Sequence, residues 1–298
     1  MPKRPVSPFL AILAVGLGTT IVPLDSSVNI AFPDITRSFG IPLDAIQWVV
    51  ICYVLTYSSL MLVCGKLGDL FGHRRIFRIG LALSIVAFAL CGSATEFGWL
   101  LFFRFCQGVG AALVISCSPA LATACYPEEQ RAKALGLYTA LFGLGSVIGP
   151  SLGGAMVELW GWAAVFWFRA PISLVALLAT FLIPSPPQAS VRKPFDGVGA
   201  VLLALALSTL LLAINQAQSP HGTPSVVAVL AVLSVFGFVG FVYQENRFAE
   251  PIIRLGVFRD IDFSILNLAN FVANLVGFAV LLLVPYYLIR AAEYPTWL

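Results

Sequence analysis

The chain has 298 residues, 59% hydrophobic and 10% charged, with a net charge of +3. A soluble domain is about 45–50% apolar and about 25% charged, so this composition excludes an ordinary soluble fold and points to a polytopic membrane protein. So small a net charge gives no reason to expect a nucleic-acid partner, and the information lies in where the charges fall.

A membrane crossing needs about 20 mostly apolar residues. Nine such runs follow in order, over 8–31, 45–64, 76–94, 98–122, 133–156, 162–184, 197–215, 225–243 and 264–290. Between them lie turn-rich or charged stretches, among them FPDITRSFGIPLD, GKLGDLFGHRR, CYPEEQRAK and PSPPQASVRKPFD. Helices are expected throughout, because hydrocarbon cannot satisfy an open sheet edge and no alternating barrel pattern recurs. The basic start and apolar run resemble a secretory leader. The length of the run, the lack of a small-residue cleavage site and the further spans favour a first crossing.

Basic residues set the expected orientation. With the N-terminus inside, the inner segments hold Lys3, Arg4, Lys66, Arg74, Arg75, Arg78, Arg131, Lys133, Arg192, Lys193, Arg247, Arg254 and Arg259. The outer segments hold only Arg37 and Arg290. The expected organisation is a six-span bundle (1–184), a proline-rich cytoplasmic hinge (185–196), two lipid-facing spacer spans (197–243), then a cytoplasmic loop and one further span (244–298). Cys52, Cys64, Cys91, Cys106, Cys117 and Cys125 lie in or beside apolar runs with no CxxC pair, and read as packing residues. His73 and His221 have no zinc spacing, so no metal or cofactor is expected. HExxH is absent and no pair of intramembrane aspartates occurs, so no enzyme is expected.

Ionisable groups inside spans are costly and need a reason. Asp25 lies about six residues before the end of the first span, and Arg104 about six residues into the fourth, which runs the other way. Both therefore sit roughly 9 Å below the outer boundary, at matching depth for a charge pair. One reading is a carboxylate that takes up and releases a proton, since burial favours the neutral acid and a guanidinium favours the anion. The other is that both snorkel to the interface, which suits the long Arg104 better than the short Asp25. On a continuous helix Asn29 shares a face with Asp25, and Gln107 shares one with Arg104. Asn267, Asn270 and Asn274 form a polar stripe on the ninth span, open to two readings: cavity lining or interhelical hydrogen bonding. Tyr53 and Tyr57 could line the same cavity, though packing is the simpler role. Arg169, in FWFRAPIS, has no acid of obvious matching depth except Asp25 or Glu158, and snorkelling is the expected behaviour.

In the fifth span GLGSVIGPSLGG places Gly145, Gly149 and Gly153 four apart on one face, with Pro150 and Gly154 beside them. Together with LDSSVNIAFPDI, GKLGDLFGHRR, LLFFRFCQGVGAA and FRDIDFSILNLANF, all in order, the chain resembles the major facilitator superfamily, in particular its fourteen-span drug:proton antiporters. The resemblance implies an alternating-access fold, with two spacer spans between six-span bundles. It implies a monomeric multi-pass protein of the plasma membrane that exchanges protons for a small hydrophobic compound. Asp25 would be the proton carrier and Arg104 its electrostatic partner. Gly65, Gly68, Asp69, Gly72 and Arg74 would form the inner gate loop, with Asp69 locking against a second bundle. Gly145, Gly149, Pro150, Gly153 and Gly154 would form the antiporter motif. Leu70 and His73 stand where the loop motif usually has arginine, and Arg169 where an asparagine is usual. Fourteen spans are five more than are found here, so the resemblance also implies a chain truncated at its C-terminal side.

Overall fold

The computed structural model describes residues 8–42, 44–124, 126–181, 194–219 and 222–290, and helices are the only regular structure among them. The first span is not one helix. α1 (Pro8–Thr20) stops, a 3-10 turn follows over Pro23–Ser26, and α2 (Ser27–Ile30) resumes. Pro23 accounts for the break, since it has no N–H and its ring clashes with the carbonyl four residues back. Thr20 and Ser26 donate to the carbonyls of Leu17 and Pro23, at 2.8 and 2.9 Å. The outer connection forms α3 (Phe32–Phe39), which ends at Gly40 in the left-handed conformation.

α4 (Trp48–Phe71) and α5 (His73–Gly92) run further than the apolar pattern suggests. Nearly all of GKLGDLFGHRR is helical, and Gly72 alone separates the two helices. Its φ of 91° is one that side-chain-bearing residues rarely adopt. α6 (Phe97–Ala124) and α7 (Arg131–Trp160) follow. The sixth span is then split into α8 (Ala164–Trp167) and α9 (Arg169–Thr180). α10 (Gly197–Gln218), α11 (Pro224–Glu245), a 3-10 turn over Leu255–Arg259 and α12 (Ile261–Arg290) complete the order. Among the described residues seven helical segments are long and apolar enough to cross a membrane. Two shorter apolar stretches, Ala164–Thr180 and Ile261–Gly277, occupy the places of the other two expected spans.

α6 is central, packed between α4 and α5 and touching α1 and α7. α9 lies on α5 and α1, while α7 lies on α1, the 3-10 turn and α2. Two apolar cores result. One is built around Val15, Phe77, Leu81 and Val114, the other around Val28, Ile35, Leu100 and Phe166. The outward faces are apolar too: Val147, Phe236 and Leu266 are about two-thirds or more exposed. Continuous apolar exterior of this kind suits lipid and not water.

The two helices after the bundle do more than face lipid. α10 leans on α4, where the Ser208 hydroxyl donates to that of Ser59 at 3.0 Å. α11 packs on α10, with Ser234 donating to the Ala206 carbonyl at 3.0 Å. Asp196 caps α10 by accepting from the Gly199 amide (2.8 Å) and also takes the Gln244 side-chain amide (3.0 Å). α12 packs chiefly against the turn before it. Most of the expected hinge lies outside the described residues, as does the final AAEYPTWL.

Candidate functional site

The 3-10 turn carries Asp25 inward, where it is 8% exposed, and the packing of α7 holds it there. An added Cβ at Gly145 would come within 2.8 Å of Pro23, one at Gly149 within 2.4 Å of the Ser26 hydroxyl, and one at Gly153 within 2.6 Å of Ser27. The glycine face of α7 is therefore the surface on which the broken first span rests. Gly154 is not part of it, since nothing lies within 4 Å of where its Cβ would be. Pro150 sits within α7, one residue after Gly149 in the chain.

Across from Asp25, α6 presents Arg104 and Gln107, and the start of α9 presents Arg169. The Arg104 guanidinium grips the carboxylate in bidentate fashion, Nη1 to Oδ1 and Nη2 to Oδ2, both at 2.7 Å. Its Nη1 also donates to Gln107 Oε1 at 2.8 Å, and its Nε to the Val49 carbonyl at 2.7 Å. Gln107 Nε2 donates in turn to Asp25 Oδ1 at 3.0 Å. Arg169 Nη1 donates to the same Oδ1 at 2.5 Å, and its Nε to the Val165 carbonyl at 2.8 Å. Both arginines are fully buried.

Aromatic rings pack on both cations. The Arg104 guanidinium carbon is 4.5 Å from the Tyr53 ring centre and 5.8 Å from that of Phe166. That of Arg169 is 4.7 Å from Phe88 and 5.3 Å from Phe166. Tyr53 and Phe88 belong to one apolar core and Phe166 to the other, so the charges sit where the two cores meet. Ion pairs in such surroundings depend on every partner: removing one partner typically costs about 3–5 kcal/mol.

Arg169 is thus the main correction to the sequence reading. It does not snorkel; it turns inward onto Asp25. Asn29 is exposed rather than on the face of Asp25. In a 3-10 turn residues three apart eclipse, so the fourth residue swings away. Tyr57 is half-buried with its ring 5.2 Å from that of Tyr53. Asn267, Asn270 and Asn274 are all exposed and are not brought to the cluster. Asn267 donates to the Phe263 carbonyl and Asn274 to that of Asn270, both at 2.8 Å.

At the opposite end of α4, Gly68 packs so closely on His73 and Cys117 that a Cβ would clash, whereas Gly65 has room. Asp69 is exposed and pairs with His73 at 3.2 Å within its own hairpin. Lys66 donates to the Pro251 carbonyl at 2.8 Å and lies 3.9 Å from the Glu250 carboxylate. Glu245 shapes that turn by accepting from the amides of Ile252 (3.1 Å) and Ile253 (3.0 Å). Arg78, read from sequence only as an orientation signal, donates to both the hydroxyl and carbonyl of Thr180, at 2.9 and 2.8 Å. Arg74 reaches the Phe181 carbonyl at 3.3 Å. Cations placed there cover the free carbonyls at the end of α9. A basic residue opening one span, next to a span end without a basic residue of its own, is the signal that was available.

An all-helical bundle with an apolar exterior and long apolar helices is the architecture of an integral membrane protein. The family model "Major Facilitator Superfamily" matches residues 9–297. The chain is 33% identical over 258 residues to "Multidrug resistance protein Stp" of Mycobacterium tuberculosis, covering 86% of this chain and 48% of that protein. It is 32% identical to "Methylenomycin A resistance protein" of Bacillus subtilis and 29% identical to "Riboflavin transporter RibZ" of Clostridioides difficile, in each case over 94% of this chain and 60% of the relative. Two solved structures share the fold. A bacterial homologue of the lysosomal transporter Spinster has a TM-score of 0.54 at 21% identity, over 81% of this chain and 63% of that one. The POT family transporter PepTSo has a TM-score of 0.58 at 16% identity, over 82% and 54%. The chain belongs to the major facilitator superfamily and is an integral membrane protein. It spans about half to three-fifths of the length of these curated relatives.

Proposed function

We propose that the protein works in proton-coupled antiport, exporting a small, largely hydrophobic compound across the plasma membrane by alternating access. Asp25 carries the proton, Arg104 is its electrostatic partner, and the N-terminus is cytoplasmic. The observation that carries this reading is the buried Asp25 carboxylate clamped by Arg104 at a break in the first span. The clamp is built for an ionised carboxylate. Protonation then requires α6 and α9 to withdraw from the broken segment, so proton uptake is tied to a change of shape. The two resistance proteins among the relatives support export of drug-like compounds. The position of α10 and α11 after the six-span bundle supports the fourteen-span plan, and the basic residues of the inner segments support the orientation.

Inverted membrane vesicles test the proposal. The lumen is acidified and followed with a fluorescent amine while apolar compounds are added. The expected result is that at least one compound drains the pH gradient in vesicles carrying the wild-type protein and not in those carrying Asp25→Asn. Equal draining by both sinks the assignment of Asp25, and no draining by any compound sinks antiport. A second reading, symport or uniport of a metabolite, is favoured by the riboflavin transporter among the relatives. It predicts substrate moving with protons or without them, never against them.

A further inference from the structure

The buried cluster does not balance its charge. Arg104 and Arg169 bring two positive charges, and Asp25 is the one acid within ion-pair distance of either among the described residues. Arg104 is nearly satisfied, using Nε, both hydrogens of Nη1 and one of Nη2. Arg169 is not. Its Nε and Nη1 have acceptors, but Nη2 is buried without any. Asp25 Oδ1 already accepts from three donors and cannot turn to it. A charged donor sealed from water and lacking an acceptor is among the costliest arrangements in a protein interior, and such groups normally have a counterpart. The hydroxyl of Tyr53, whose ring packs on the Arg104 guanidinium, is also buried without a partner.

We infer that Arg169 Nη2 anchors an anion subsite, which takes the ionised carboxylate of an otherwise apolar, aromatic compound. One bound negative charge brings the cluster from a net single positive charge to neutral, while a bound cation would double the imbalance. The rings of Phe88 and Phe166 lie against the Arg169 guanidinium and are buried here, so aromatic surface would meet the body of such a compound once the site opens. The subsite is closed in this structure, and the inference rests on the alternating-access reading for how a ligand reaches it. It narrows the substrate class of that reading from hydrophobic compounds in general to hydrophobic acids.

The test uses the full chain in phosphatidylcholine nanodiscs and three matched probes: 1-pyrenebutyrate, its amide, and 1-pyrenebutylamine. Affinity is read at neutral pH by energy transfer from tryptophan to pyrene, with empty nanodiscs subtracted. The carboxylate is expected to bind at least about tenfold more tightly than the amide, as one charge-assisted contact allows, and the amine most weakly. Arg169→Asn should reduce the carboxylate-to-amide ratio to about twofold or less, and Arg169→Lys should keep a preference for the acid. Equal binding of acid and amide by the wild-type protein, or an unchanged ratio in Arg169→Asn, overturns the inference. If Arg169→Asn does not fold, the wild-type ratio and the lysine variant decide it. Phosphatidylglycerol that displaces the carboxylate from the wild-type protein would assign the subsite to a lipid headgroup and overturn the substrate assignment. Gradient draining by a neutral compound, together with equal probe binding, would sink the subsite and leave antiport standing. Selective binding of the acid with no draining by any compound would do the reverse.

Discussion

Asp25, Arg104 and Arg169 pair with one another across three spans, whereas Asn267 and Asn274 bond within one. Both sets are polar side chains in apolar helices, and the difference lies in what the backbone can do for them. A carboxamide can donate to the carbonyl one turn back on its own helix, as Asn267 does to Phe263. A carboxylate finds no donor there, because every N–H in the middle of a helix is already used. The charges of the cluster therefore dictate which helices meet, and the asparagines of α12 do not. The contrast predicts that substitutions should fall steeply in effect from the cluster outwards.

The largest effect is expected at Asp25. Asp25→Asn leaves two buried guanidiniums without a counter-charge, and should lower stability by about 3–5 kcal/mol. Tryptophan fluorescence on heating in detergent would read this as a lower melting midpoint. Adding Arg169→Asn in the same chain should restore part of the loss by removing one of the stranded charges. A midpoint unchanged by Asp25→Asn would break the claim that charge organises the bundle.

Gly153→Leu comes next, because it attacks the platform beneath the cluster rather than the cluster itself. The new side chain would begin 2.6 Å from Ser27 Cβ, with the Ser27 backbone directly behind it. Overpacking of this kind costs about 1–3 kcal/mol. The same substitution at Gly154, which faces open space, should cost less than half as much in the same melt. Equal losses at the two glycines would mean that the face on α1 and α2 is not what matters.

How far the sequence disclosed this arrangement depends on whether each helix was continuous. Asp25 and Arg104 could be paired by counting residues from opposite ends of antiparallel spans, because the count survives a short 3-10 turn. Asn29 could not be placed in the same way, since the face it occupies depends on the turn angle, and three residues per turn rotate it out. Arg169 escapes the same count for a related reason. Depth along one continuous helix over 162–184 does not hold, because that span breaks at Phe168 and the arginine opens a new segment aimed inward. The charged stretch GKLGDLFGHRR read as a connection because glycines and charges mark turns. Only Gly72 is needed for the turn, and the other residues continue their helices. The docking of Lys66 on Pro251 was not legible at all, since the two lie 185 residues apart and no local pattern relates them.

The spacer helices and the asparagine stripe set the lower end of the scale. Ser208→Ala removes the hydroxyl pair that ties α10 to α4. Single hydrogen bonds between membrane helices are worth about 0.6 kcal/mol, because a freed serine finds its own backbone, and the change should be near that value. Asn270→Leu should be smaller still, within about 0.5 kcal/mol of zero. Asn270 is exposed on α12, and its side-chain oxygen accepts only from Asn274, at 3.1 Å. Asn274 keeps the Asn270 carbonyl, so replacing the side chain leaves no donor stranded. A loss of more than about 1 kcal/mol on Asn270→Leu, comparable to that from Gly153→Leu, would be far beyond a self-satisfied amide. It would mean that the stripe holds α12 to another helix, and that amides, like the charges of the cluster, decide which helices meet in this protein.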